Sequence, residues 1–538
     1  MRTSRRSFLG TTGSALLAVA CNPAVVSRRA DHDLVIRNGT LFDGTGADGR
    51  ELDLAITGDR IAAIAPRLAG RGREEIDARG LAVAPGFIDI HSHGDGSLEQ
   101  DPRDESVIRQ GVTTIVVGAD GSSRATGTVD KSFADYFASM DQLRPGPNVA
   151  CMVGLGSVRG AVIGDKDRPA TVDELTRMTA MVERALADGA CGASSGLEYT
   201  PGAFASRDEL IALCRPLSRR RLPYATHMRN EDDRLLDAID ESIAVARGAG
   251  SPLQISHLKT QGPRNWPRLG DAFRRIDAAR AAGVDVTFDR YPYLAYSTGL
   301  TNLFPVWSRD GGTDAFLARL DDAGAAARIR QETLAKIDLI GGWDNVQLSA
   351  VRAVEDRDAE GKRLGAQAKA LGVDPYDYTV ALLKRSRGSI GMAGFAMSEE
   401  NLERILAHPL CTICSDGGGF AIDGPTRRGS PHPRGIGTFP RVLGRYVRER
   451  KVLTLPDAIA KMTSRSAARV HLADRGRLAP GLAADVVVFD PARIADVATF
   501  EQPFQYPVGI SVVVVNGAIA LRDGHRAAVG TGRAVRAV

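Results

Sequence analysis

An α/β fold, a (β/α)8 TIM-type barrel with a small β-sandwich domain built from N- and C-terminal segments, is predicted by three observations. Strand-like runs alternate with helical, Ala/Arg/Leu-rich segments through the middle of the 538-residue sequence. These runs number near eight, the count that closes a parallel barrel. Two segments of a different rhythm, one near each end, bracket the alternating region and would bury each other's apolar faces.

Residues 1–30 precede both units. Arg5-Arg6 is followed by Ser7, Phe8 and Leu9, a short mild apolar run, and Ala18-Val19-Ala20 before Cys21. This resembles a twin-arginine export signal, which carries proteins across a membrane after folding and implies a periplasmic location. Ala18–Ala20 suits leader cleavage. Cys21 also permits a lipid anchor, although Ala18 stands where a lipobox prefers an aliphatic residue such as Leu. Removing residues 1–20 deletes three arginines and no acid, which accounts for most of the formal charge of +4. No basic run of the kind that tracks nucleic acid remains, so no nucleic-acid partner is expected.

With 43% hydrophobic and 25% charged residues the chain reads as globular. No internal window offers the ~20 uninterrupted apolar residues of a membrane span. Six cysteines in so long a chain do not form a dense disulfide framework. "CTIC" at 411–414 reads as a redox pair, as half a zinc knuckle, or as packing within a buried strand.

The bracket segments come next. Residues 31–85 alternate short apolar stretches with Asn-Gly and Asp-Gly turns ("DLVIRNGTLFDGTG"), and 476–538 repeat the rhythm ("ADVVVFDP", "GISVVVVNGAIALRDG"). Between them, 86–475 hold the barrel units: "VTTIVVGAD", "NVACMVGLG", "CGASSGL", "PYATHMR", "LQISHLK", "VDVTFDRYPY" and "CTICSDG" alternate with stretches such as "TVDELTRMTAMVERALADGA". Residues 308–360 break the rhythm and read as an insertion between units.

Nearly every strand ends in a group able to do chemistry: His91 and His93, Asp120, His227, His257, Asp289 and Asp416. In such barrels the C-terminal strand ends line the active site. One strand-end histidine is ordinarily a satisfied packing group, but four of the chain's nine histidines fall here. His91 and His93 are one residue apart, so on a strand their side chains share a face and can grip one ion. Imidazoles and carboxylates suit Zn2+, with Mn2+ or Co2+ as other choices. Such an ion lowers the pKa of water to about 7 and polarises a carbonyl. A nearby carboxylate can move the water's proton to a leaving nitrogen, and Asp416 is the candidate. Alternatively Asp416 is a turn residue before Gly417-Gly418-Gly419.

"PGFIDIHSH" after a small β-segment, with His227, His257 and Asp416 downstream, resembles the amidohydrolase superfamily. Within it, "GVTTIVVG", "SSGLEYTPG", "THMRNE", "ISHLK", "DRYPYLAYST", "SDG" and "HPRGIGTFPRVLGRYVRE" are similar to the N-acyl-D-amino-acid deacylases, the D-aminoacylases. The resemblance implies a barrel plus a sandwich and metal-assisted hydrolysis of the amide of an N-acylated D-amino acid. It implies that His227 and His257 hold a tight zinc, that His91 and His93 serve a weaker second position, and that Asp416 is the general acid/base. It further implies that Lys259, Tyr291 and Ser297 bind the substrate's α-carboxylate. Read without it, Lys259 is a solvated loop lysine and Tyr291 an aromatic packer.

Two departures stand out. The family usually has Asn-Cys-Gly where this chain has Ala119-Asp120-Gly121. A carboxylate is harder than a thiolate and can bridge two ions, so Asp120 is expected to be a metal ligand and two ions are favoured over one. The family commonly has histidine where Leu155 stands, which bears on the substrate pocket if that position lines it. Arg434 and Arg441 either favour acidic substrates or are solvated. Alternatives are a cyclic-amide hydrolase, for which no lysine to be carbamylated is apparent, a D- or isoaspartyl-dipeptide hydrolase, and a non-catalytic exported metal- or ligand-binding protein.

Overall fold

The computed structural model describes residues 30–126, 132–527 and 530–537. Residues 1–29 of the expected export segment, Cys21 among them, lie outside the described residues. Among the described residues no helix is long and apolar enough to cross a membrane.

Eight parallel strands form the barrel: Phe87–Asp89, Val112–Val117, Asn148–Cys151 continued by Val153–Gly154, Ala193–Gly196, Tyr224–His227, Leu253–Ile255, Val286–Arg290 and Cys411–Ile413. The ring closes between the last and the first. Asp416 N–H donates to the His91 carbonyl and His93 N–H to the Gly417 carbonyl, each at 2.9 Å. These strands are short and almost wholly buried, as expected where helices cover a parallel sheet. The helices read as the sequence implies. Val172–Ala187 starts with a Thr171/Glu174 capping box and buries Met178, Val182, Ala185 and Leu186 at three- and four-residue spacing.

The two ends of the chain share one nine-stranded sheet, in which Ala82–Pro85 pairs antiparallel with Val486–Phe489. Period-2 alternation gives this sheet two apolar faces. Val486, Val488, Val512 and Val514 join Leu34, Ile36, Leu54 and Ile56 in a small core of their own, while Val487, Phe489, Val513 and Val515 pack into the main core of the barrel.

The interruption of the barrel is wider than 308–360. Ala295–Gly299 leaves the barrel and pairs antiparallel with Ile390–Phe395, which also pairs with Val346–Val351. Helices Gly312–Arg319 and Ala323–Ile340 pack between these strands in the chain. Ala295–Gly299, Ala-Tyr-Ser-Thr-Gly, is too short and polar to announce a strand in the sequence. Antiparallel partnership sets these three strands apart from the barrel.

One buried acid bears on how the closing loop is held. Gly419 stands so close to Asp104 that a Cβ there would lie 1.7 Å from Asp104 Oδ1, which accounts for a glycine at that place. Gly419 N–H donates to Ser97 Oγ, and Ser106 and Phe420 exchange two further hydrogen bonds. Asp104 itself is buried, and neither carboxylate oxygen has a hydrogen-bond partner. Burial pushes its carboxyl up to about 8, against the pull of Arg526 and with the push of Asp101, Asp89 and Glu105. A carboxyl raised in the folded state holds its proton there between about pH 4 and pH 8, so it costs stability as pH rises through that window. Asp104→Asn, which tolerates the left-handed backbone at φ 45°, is expected to stabilise the fold at pH 8 relative to pH 5 by about 2 kcal/mol or more. Thermal melts of both proteins at the two pH values check this, and parallel pH dependence would contradict it.

Candidate metal centre

His91 and His93 follow the first barrel strand, Asp120 follows the second, His227 ends the fifth, His257 follows the sixth and Asp416 follows the eighth. The six residues come from five separate strand ends and meet at one end of the barrel. Asp120 lies at the middle. Its Oδ2 is 3.4 Å from His91 Nε2, 3.5 Å from His93 Nε2, 3.7 Å from His227 Nδ1 and 3.4 Å from His257 Nε2. Asp416 Oδ1 is 3.0 Å from His93 Nε2 and 3.4 Å from His91 Nε2. Two overlapping donor sets result, His91–His93–Asp120–Asp416 and Asp120–His227–His257, with Asp120 common to both.

The backbone at the strand ends is bent to achieve this. Asp120, His257 and Asp416 all have positive φ, near 50°, 36° and 50°. Such conformations cost non-glycine residues energy and cluster at functional sites. Gly121 follows Asp120 in a space where a Cβ would sit 2.6 Å from Gly196 N.

The donor set fits a divalent ion. Tetrahedral zinc with ligands at ~2.0–2.1 Å places its ligand atoms roughly 3.3–3.4 Å apart, close to the spacings around Asp120 Oδ2. His91 Nε2 and Asp120 Oδ1 are buried without a hydrogen-bond partner, an arrangement that is costly unless a cation or water answers it. The imidazoles are held from behind. His91 Nδ1 lies 3.4 Å from Asp289 Oδ1, His227 Nε2 3.4 Å from Glu198 Oε2, and His257 Nδ1 3.0 Å from Glu231 Oε1. A carboxylate behind an imidazole fixes the ring and its tautomer and makes the other nitrogen a better ligand.

Electrostatics follow from this crowding. Burial works against the charged imidazoles, yet the carboxylates of Asp120 and Asp416 hold His93 at about 9, and Glu231, Asp120 and Glu198 hold His227 at about 10. Burial likewise opposes ionised Asp416, but Arg434, His91 and His257 keep its carboxyl far below the usual range. Arg434 Nη1 donates to Asp416 Oδ2 at 2.7 Å.

Several expectations change at this point. Lys259 is not a solvated loop lysine. It is buried, donates to Glu231 at 2.6 and 2.7 Å, and lies 2.8 Å from His257 Nδ1, because Glu231 would otherwise be a buried carboxylate without a counter-charge. Arg434 is buried on Asp416, and Arg441 pairs with Asp496 at 2.8 Å, so neither is a solvated surface arginine. Tyr291 is fully buried between the guanidinium groups of Arg290 and Arg434, and its hydroxyl has no partner. Leu155 is buried in the main core and lines neither cavity described below. Cys411 and Cys414 are free buried thiols in the last barrel strand and just after it, and burial pushes Cys411 up to about 12.

Glu198, Glu231 and Arg434 complete the centre, and no motif in the sequence gave them these roles. Glu231 stands four residues after His227 in "THMRNE", and Glu198 two residues after the fourth strand in "SSGLEYTPG". That placement was the available signal.

Two cavities meet at the centre. An open one of about 610 Å3 is lined by His93, Asp120, Ser349, Phe420, His432 and Arg434. A narrow, more enclosed one runs past His227 and His257 to Leu303, Lys336 and Met392, with Lys259 and Tyr291 in its wall. Tyr199, Ser297, Thr298 and Asp416 line both.

With this geometry established, the chain can be compared with known proteins. A model of the amidohydrolase family matches residues 74–521, and the chain belongs to that family. It is 38% identical to the D-aminoacylase of Alcaligenes xylosoxydans xylosoxydans over 506 residues, covering 90% of this chain and 94% of the relative. It is 37% identical to the N-acyl-D-glutamate deacylase of the same organism, covering 90% and 93%. A crystal structure of N-acyl-D-glutamate deacylase from Bordetella bronchiseptica, complexed with zinc and a phosphonate mimic of the tetrahedral intermediate, superposes with a TM-score of 0.80. It is 35% identical and covers 94% of this chain and all of that one.

Two outcomes are expected of the metal-free protein. Loaded with excess zinc and dialysed, it should retain two ions per chain by metal analysis, whereas one tight ion after ample exposure contradicts a carboxylate shared between two positions. Zinc added at about pH 8 should release protons, since His93 and His227 are largely protonated there and must lose them to coordinate. An indicator dye in weak buffer reads this, and zinc uptake without acidification contradicts it.

Proposed function

We propose that this protein hydrolyses the amide bond of N-acyl-D-amino acids, releasing a carboxylate and a free D-amino acid. The observation that carries the reading is the convergence of four histidines on Asp120 with Asp416 beside them, at the junction of the two cavities. Relatives along nine-tenths of the chain named for this chemistry support it.

His227, His257 and Asp120 would hold one zinc ion, and His91, His93 and Asp120 a second. Zinc there supplies a polarised amide carbonyl and an acidified water. Asp416 takes the proton of that water and delivers it to the leaving nitrogen. Its pairing with Arg434 keeps the carboxylate ionised and fixes its orientation. Tyr291 and Ser297 line the narrow cavity and offer the substrate's α-carboxylate two hydroxyl donors, while Lys259 in the same wall already spends its three N–H groups on Glu231 and His257. Arg434, stacked over Tyr291 at 4.7 Å and paired with Asp416, lines the open cavity beside it.

The linear-amide reading is favoured over the cyclic-amide one by Lys259. Its Nζ faces His257 Nδ1, the nitrogen turned away from Asp120, so it is not placed to bridge two ions as a carbamate. The same proposal puts the enzyme outside the cytoplasm, led by the Arg5-Arg6 segment and either released or lipid-anchored at Cys21. Folding before export fits a metal acquired in the cytoplasm.

A panel of N-acetyl-D- and N-acetyl-L-amino acids with the zinc-loaded mature protein is the test. Turnover of D-substrates in preference to L is expected, and hydantoin opening without amide cleavage contradicts the reading. Asp416→Asn should lower kcat at least about 10^3-fold while zinc at His227 and His257 survives, because the proton carrier is lost and that ligand set is not. Undiminished turnover in that variant would remove Asp416 from the mechanism.

A further inference from the structure

The narrow cavity ends in a polar cap with an uneven set of charges. Lys336, on the helix Ala323–Ile340 of the segment that interrupts the barrel, donates from Nζ to Asp232 Oδ2 at 2.6 Å and to Gln261 Oε1 at 2.8 Å. An ammonium has three donors, and Lys336 lines the cavity, so one N–H remains for whatever enters. The charges of the wall besides Glu198 are paired: Lys259 with Glu231 inside it, and Lys336 and Asp416 with Asp232 and Arg434, which stand outside it. Glu198 is a further carboxylate of the same cavity: among the described residues no Lys or Arg lies within salt-bridge distance of it, it sits 3.4 Å from His227 Nε2, and it also attracts the Lys336 ammonium. Between the cap and the metal ligands the wall is apolar or aromatic, formed by Leu303, Met392 and Tyr296.

We propose that this cap selects substrates whose amino-acid side chain ends in a carboxamide, the N-acyl-D-glutamines and N-acyl-D-asparagines. The inference rests on the deacylase reading and names its substrate class. A carboxamide answers both groups: its oxygen accepts from Lys336 and its NH2 donates to the carboxylate of Glu198. A side-chain carboxylate satisfies Lys336 but sets a further negative charge beside Glu198 and Asp232. A cationic side chain reverses the problem at Lys336. An aliphatic side chain of equal length displaces water from both polar groups and returns no hydrogen bond, which a site built for hydrogen bonding penalises heavily.

The test is kcat/KM on N-acetyl derivatives of D-Gln, D-Asn, D-Glu, D-Asp, D-Leu and D-Phe with the zinc-loaded protein. At least a tenfold preference for D-Gln or D-Asn over the matching acid and over D-Leu is expected. Lys336→Met should shrink the Gln-to-Leu ratio at least tenfold. Glu198→Gln should move the Glu-to-Gln ratio toward Glu by a similar factor. Good turnover of D-Leu or D-Glu with no preference for the amides overturns the cap while the deacylase reading stands. Inactivity on the whole panel overturns both. The wild-type panel decides alone if either variant fails to fold.

Discussion

Asp120 is the constraint on which the rest of the centre depends. Four imidazoles, three of them buried and His93 half-buried, drawn to within 3.4–3.7 Å of one carboxylate oxygen leave a buried negative charge that the protein must answer with positive charge. Protonated His91, His93 and His227, whose pKa values the surrounding carboxylates raise, can provide it, and a divalent ion provides it better. The strand ends bend into left-handed backbone at Asp120, His257 and Asp416, and the cost is met by the barrel packed around them.

The outer contacts follow from the same requirement. Each imidazole needs one nitrogen forward and one held from behind, and Asp289, Glu198 and Glu231 stand 3.0–3.4 Å from the rear nitrogens of three of the four rings. Buried anchors need counter-charges of their own, which is why Lys259 turns to Glu231 and away from solvent. Arg434 does for Asp416 what Lys259 does for Glu231. The centre is thus a set of nested ion pairs, and the substrate cavities take their polarity from whichever groups the nesting leaves unpaired.

Much of this was legible in the sequence. The one-residue spacing of His91 and His93 forces a shared face, and polar residues at successive strand ends of a parallel barrel are gathered by the fold itself. The two β-rich ends could be joined because alternation with Asn-Gly and Asp-Gly turns differs from the rhythm between them. What was not legible depends on long-range pairing. Ala295–Gly299 finds Ile390–Phe395 nearly a hundred residues later, so the interruption of the barrel reads as shorter than it is. Burial of Lys259 and Arg434 is set by partners on other loops, and a charged residue in sequence carries no mark of that. Glu231 and Glu198 act on the rear nitrogens of histidines, and which nitrogen faces forward is a property of the fold alone.

The most direct test of the account is an anomalous-scattering crystal structure of the zinc-loaded protein collected at the zinc edge. It should show Asp120 bonded to zinc, with one peak between its carboxylate and His227 and His257 and a second toward His91 and His93. Zinc held without Asp120, or a carboxylate turned away from the imidazoles once metal is bound, would contradict it.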